Sequence, residues 1–248
     1  EERIKQKRDF CNKEIKMDRV SYITEKINLI KKRIGATKLV AVTKYATIED
    51  AKTIYYCDHY DLGEARVSQL QERSQEFYAS SMDKIRWHFI GNLQTNKINR
   101  LLKIPNLYAI HSIDSKKLLE GIYDRIDLFE GYQLRFYVQI KTSEEHEKSG
   151  VENYDQLSQI VNYILAHPHA KLKFQGLMTM GAIRTENFKV DAVTSFKKLA
   201  KIRNKLLKDY DLNQDFELSM GMSNDYQLAI DSGSHLVRIG QALFPEKE

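Results

Sequence analysis

The feature that most constrains this chain is a repeated change of period, in which short apolar runs of strand length alternate with helical patterns eight times. In the first unit, Leu39-Val40-Ala41-Val42 reads as a buried strand, and Thr47 caps a helix from Ile48 to about Cys57. Further strands are predicted at Tyr60–Leu62, Trp87–Ile90, Leu107–His111, Leu134–Ile140, Phe174–Met178, Phe216–Ser219 and His235–Ile239. Helices are predicted at Arg66–Tyr78, Leu93–Leu102, Tyr154–Ala166, Phe188–Leu207 and Asp225–Ile230, with one more capped by Asp114 or Ser115. Strands joined through helices pair in parallel by right-handed crossovers, and eight such units close on themselves. The expected fold is therefore α/β, a single (β/α)₈ TIM barrel over residues 36–244 behind a leading helical segment, residues 1–35. The extra helix runs from Met17 to Ile34. A doubly wound open sheet is the competing architecture, but it usually has fewer strands.

Composition narrows the function classes. The formal charge of +5 is modest and distributed, and acidic and basic residues alternate on the helices. The densest basic stretch, Lys197 to Lys208, lies opposite the apolar stripe Val193, Phe196, Leu199, Ile202 and Leu206. It reads as a solvated helix face, so no nucleic-acid partner is expected. Cys11 and Cys57 are far apart and outside metal-ligand spacing, which predicts neither a disulfide framework nor a metal site. Glu1 to Phe10 lacks an apolar signal core, and no apolar run reaches membrane-spanning length. A cytoplasmic protein without a membrane partner is the expectation.

In such a barrel, functional residues gather where the strands end. The first strand ends at Thr43-Lys44, and alternation puts Lys44 on the same face as Val40 and Val42. If that face is the interior, the amine sits at the mouth over an apolar floor. Partial desolvation there favours the neutral amine, the form that attacks a carbonyl to make a Schiff base. By position alone, Lys44 reads first as a solvated residue opening a loop in a lysine-rich chain. The seventh strand ends in Ser219-Met220-Gly221-Met222-Ser223-Asn224-Asp225, and the eighth in Arg238-Ile239-Gly240. Small hydroxyl-bearing turns at a helix start suit a phosphate, and barrels often bind phosphate at these two loops. His88, between Trp87 and Phe89, reads as a satisfied core histidine, and His167 and His169 as a helix terminus.

At these residues the chain resembles the pyridoxal phosphate homeostasis proteins, the YggS/PROSC-type family. The resemblance rests on an ordered series: Leu39 to Lys44, Trp87 to Lys97, His111 to Ser115, Lys148-Ser149-Gly150, Gly176 to Met180, Leu218 to Ser223 and Val237 to Gly240. It implies an alanine-racemase-like barrel carrying pyridoxal 5′-phosphate (PLP) on Lys44. It also implies phosphate contacts from Ser219, Ser223 and the backbone near Gly240, with Arg238 beside the pyridine nitrogen. Four positions depart from the family pattern: Tyr45, Ala65, Asn92 and Pro245. Ala65 stands in place of a usual asparagine, which removes a polar contact. The resemblance further implies a carrier that supplies PLP to apo-enzymes, with no catalytic residue and as a monomer. The alternative is an amino-acid racemase on the same barrel, and the end of the chain soon after Phe244 speaks for the carrier. A cofactor-free Schiff-base aldolase is a third reading.

Overall fold

The strands close in chain order into a parallel barrel, and β1 pairs with β8 to complete the ring. The computed structural model describes residues 19–143, 149–181 and 185–244. Cys11, the Met17 start of the leading helix, Lys148 and Pro245 lie outside the described residues. The first half comprises α1 (residues 19–34), β1 (Lys38–Val42), α2 (Ile48–Tyr56), β2 (Asp61–Glu64), α3 (Val67–Ala79), β3 (Arg86–Phe89), α4 (Ile98–Leu102) and β4 (Leu107–Ile113). The second comprises α5 (Lys116–Tyr123), β5 (Leu134–Gln139), α6 (Tyr154–Ala166), β6 (Leu172–Met178), α7 (Phe188–Tyr210), β7 (Glu217–Ser219), α8 (Tyr226–Asp231) and β8 (Leu236–Ile239).

Local chemistry explains where these elements start. Thr47 and Asp50 form a capping box at α2, and Asp50 also receives both ends of the Arg19 fork at 2.7 Å. That pair ties α1 to α2, while Ile23, Ile27, Ile30 and Ile34 bury one stripe of α1 in the core. Ser115, of the two candidates, caps α5 by accepting from the Leu118 N–H. One predicted helix and one predicted strand come out differently. The Leu93–Leu102 stretch begins as a 3-10 turn at Thr95–Lys97 before α4, since Thr95 and Asn96 are weak helix formers. The second strand is displaced toward Gly63-Glu64, where the bare Gly63 passes Val40; a Cβ there would meet Val40 Cγ1 at 2.8 Å.

The two faces of the barrel differ in chemistry. Leu39, Ala41, Leu62, Trp87, Phe89, Phe136, Val138, Leu218, Val237 and Ile239 join the apolar layer under the helices. Alternation turns the residues between them inward. A barrel interior is usually packed with branched apolar side chains. Here His88, His111, Tyr137, Glu217, Ser219 and Arg238 are all buried polar groups. Buried polar atoms need partners, and these find one another across the barrel. Lys38 and Tyr137 both hold Glu217, at 2.5 and 2.7 Å. His88 lies between Asp61 at 3.0 Å and His111 at 2.9 Å, and His111 reaches Ser219 Oγ at 3.0 Å.

Candidate functional site

A cavity of about 650 Å³ opens at the C-terminal ends of the strands, within the size range of small-molecule sites. Lys44 enters from the β1 side, and Arg238, Ser223 and Gly240 stand on the β7–β8 side. Val42, Ile90, Met178, Met180 and Met222 give it apolar walls.

Lys44 has a fixed backbone and a free side chain. Thr43 N–H donates to the Gly63 carbonyl (2.9 Å), and Gln69 donates to the Lys44 carbonyl (2.9 Å). Arg73 donates to the carbonyls of Ala46 (2.6 Å) and Thr47 (3.2 Å), while its Nε pairs with the buried Glu64 at 2.9 Å. Thr43 Oγ1 donates to the same carboxylate at 2.5 Å. Burial pushes the Glu64 carboxyl up, and Arg73 opposes that shift. The Lys44 side chain itself is exposed, with Nζ 4.9 Å from the centre of the Tyr45 ring. Partial desolvation of this amine was the expectation. The structure instead leaves the side chain exposed against an aromatic face, because β1 ends at Val42 and Lys44 stands beyond the strand.

The opposite wall has an anion-shaped gap in its backbone. The N–H groups of Gly240 (3.3 Å) and Ala242 (3.2 Å) both aim at Ser223 Oγ, so two donors converge on one oxygen position. Gly240 must be bare, since a Cβ would meet the Val42 carbonyl at 2.9 Å. The dipole of α8 contributes little to this seat. That helix has six residues, and Asp225 at its start already accepts from the Met222 N–H at 2.5 Å.

Arg238 is buried yet lines the cavity. Nη1 donates to the Ser219 carbonyl (2.8 Å) and hydroxyl (2.7 Å), and Nη2 to the Thr179 carbonyl (2.9 Å). Burial lowers its guanidinium to about 10, which leaves it charged near neutral pH. Ser219 differs from the other four sequence-predicted site residues. It is fully buried, and its hydroxyl already accepts from Arg238 and contacts His111, so it stands behind the cavity wall as a support for the arginine. The structure thus brings Lys44, Ser223, Arg238 and Gly240 to one cavity and sets Ser219 one layer deeper.

Sequence reasoning passed over Glu64, Arg73 and His111 as contributors. Only the charge of Glu64 and Arg73 in otherwise amphipathic segments hinted at them. At the departing positions, Ala65 adds an apolar wall, and Asn92 donates to Ser149 Oγ (3.1 Å), joining the loops after β3 and β5.

Fold and site together define an alanine-racemase-type barrel, and the family model described as "Alanine racemase, N-terminal domain" matches residues 19–247. More particularly, the chain belongs to the pyridoxal phosphate homeostasis protein family, being 36% identical over 231 residues to the Helicobacter pylori J99 protein of that name, with 90% of this chain and 93% of that one covered. Among solved structures it is similar to PipY of Synechococcus elongatus with PLP bound, at a TM-score of 0.78 and 24% identity, covering 90% of this chain and all of that one. Alanine racemase from Corynebacterium glutamicum has the same fold at a TM-score of 0.71 and 14% identity, and this chain covers 62% of it.

Proposed function

We propose that this protein binds pyridoxal 5′-phosphate through a Schiff base on Lys44 and serves its homeostasis, holding the reactive aldehyde and handing it to apo-enzymes. The observation that carries the reading is the span of the cavity, with a free amine on one wall and two converging backbone N–H donors on the other. The residues present fit the group. Ser223 Oγ marks the place where a phosphate oxygen would be received, and Gly240 keeps the backbone close enough to receive it. When bound, PLP supplies an aldehyde that condenses with an amine and a pyridine ring that can draw electrons. Lys44 offers the amine from a backbone held by Gly63 and Gln69, which leaves chiefly its side-chain torsions to be ordered. Arg238 would stand beside the ring nitrogen. A guanidinium keeps its own proton, which weakens the ring as an electron sink and favours holding over turnover. Ser219 acts through Arg238 in this reading, and Ser223 and Gly240 keep the phosphate end.

The test is reduction with borohydride after incubation with PLP, followed by peptide mass analysis. The cofactor mass is expected on the Lys44 peptide and is expected to be absent from Lys44→Ala. An equal adduct on the Lys44→Ala protein would overturn the assignment. Amino acids should be racemised no faster than by free PLP; robust turnover would favour the racemase. Action in the cytoplasm as a monomer completes the proposal. Among the described residues no helix is long and apolar enough to cross a membrane.

A further inference from the structure

We propose that His111 and His88 are positioning residues for the cavity, holding Arg238 in place through Ser219 by a hydrogen-bond chain with one fixed direction. This role rests on the cofactor reading above.

The chain runs through the barrel interior from β8 to β2. Asp61 is held at about 2 by His88 and Arg86, so its carboxylate can only accept. His88 Nε2 must therefore carry a proton and donate to Asp61 Oδ1 across 3.0 Å. In this order His88 Nδ1 accepts the proton that His111 carries on Nε2 across the 2.9 Å contact. His111 Nδ1 is left as an acceptor and receives the Ser219 hydroxyl proton at 3.0 Å. With its proton turned toward His111, Ser219 Oγ presents its lone pairs to Arg238 Nη1 at 2.7 Å. Every contact is satisfied in this order. The reverse order fails, because a protonated His111 Nδ1 and Arg238 would both donate to Ser219 Oγ and strand its hydroxyl proton away from water.

Burial agrees with the assignment. His111 is fully buried, and desolvation, with the charge of Arg238 adding to it, keeps its imidazole neutral. The Tyr137 ring lies parallel to it at 4.3 Å, which fixes the plane in which both nitrogens must point. The consequence reaches the cavity. Arg238 has Nη1 committed to Ser219 and Nη2 to Thr179, so the setting of its guanidinium in the cavity wall is tied to these two partners. Two histidines that never touch a ligand thus decide how the arginine meets one.

The experiment has two arms. In ¹⁵N-histidine-labelled protein without cofactor, His88 and His111 should both show a protonated Nε2 and a bare Nδ1. A proton on His111 Nδ1 would overturn the chain. In the second arm, affinity is measured for pyridoxine 5′-phosphate, which has the ring and phosphate but no aldehyde. His111→Phe keeps a flat ring without an acceptor and should bind roughly tenfold more weakly. His111→Asn returns an oxygen near the Nδ1 position and should recover most of that loss. Equal loss in both variants would reduce His111 to packing and overturn the proposal, as would unchanged affinity in His111→Phe. If His111→Phe does not fold, Ser219→Ala and Ser219→Thr ask the same question, with loss expected in the first and recovery in the second. Failure of the wild type to bind pyridoxine 5′-phosphate would sink the cofactor reading and the positioning role with it. Binding with the wrong tautomers would sink the chain alone.

Discussion

Arg73 Nη2 donates to the Ala46 carbonyl at 2.6 Å, so a side chain of α3 sets the path of the backbone two residues beyond Lys44. The same guanidinium neutralises Glu64 on β2. Replacing Arg73 by Met leaves a buried carboxylate with hydrogen bonds from Thr43 and the Ala65 backbone but without its adjacent cation. The expected cost is about 3 kcal/mol in urea unfolding. Arg73→Met/Glu64→Gln should recover part of it, and a double variant no better than the single would show the pair is uncoupled.

Stability should fall with acid through His59. Burial lowers this imidazole to about 4, with Lys31 assisting against the pull of Asp61, while the unfolded chain titrates near 6.5. Between those values the unfolded state binds the proton and the folded state does not. The contribution of His59 is therefore complete above pH 6.5 and shrinks as pH falls to about 4, by about 3 kcal/mol. His59→Gln should flatten that part of a pH–stability curve, and an unchanged slope would place the effect elsewhere.

Gly240→Ala tests the approach of β8 to β1. Its new Cβ would press on the Val42 carbonyl and Cβ, at 2.9 and 3.2 Å, next to the anion seat. A loss of about 2 kcal/mol in stability is expected, together with weaker binding of PLP in an absorbance titration. Wild-type values for both would mean that the strands separate there without cost.

Ser223→Asp places a carboxylate among the N–H groups of Gly240 and Ala242. The variant should lose the advantage of PLP over unphosphorylated pyridoxal, because the seat is filled by the protein's own anion. Titration of both aldehydes reads this directly, and an undiminished preference for PLP would move the phosphate to another wall.

The barrel was readable because its outward strand faces are apolar and its helices carry explicit caps, such as Thr47 and Ser115. The lysine and the β7–β8 turns were readable because strand ends are where barrels put their chemistry. The interior was not. In Trp87-His88-Phe89 the two aromatic residues pack under the helices and His88 faces inward, so the run looks like an apolar strand interrupted once. Nothing local reveals that His88 meets His111, or that His111 meets Ser219, since those partners lie 23 and 108 residues apart. The same distance hid the deeper position of Ser219. Its neighbours Met220 and Gly221 suggest a turn, while its own hydroxyl answers to β4 and β8.

The polar chain through the barrel also bears on how the fold assembles. His111 on β4 and Ser219 on β7 belong to opposite halves of the ring, and Asp61 and Arg238 to β2 and β8, the two strands that flank β1. Any partial sheet that lacked β7 and β8 would bury His111 Nδ1 without a donor, and one lacking β2 would leave His88 without its carboxylate. Each missing partner carries the cost of an unmade buried hydrogen bond. Ring closure is thereby coupled to strand register, and intermediates with a few strands docked are penalised relative to both the open chain and the closed barrel. A network that orients one arginine in the finished protein thus also sharpens the transition by which the protein becomes finished.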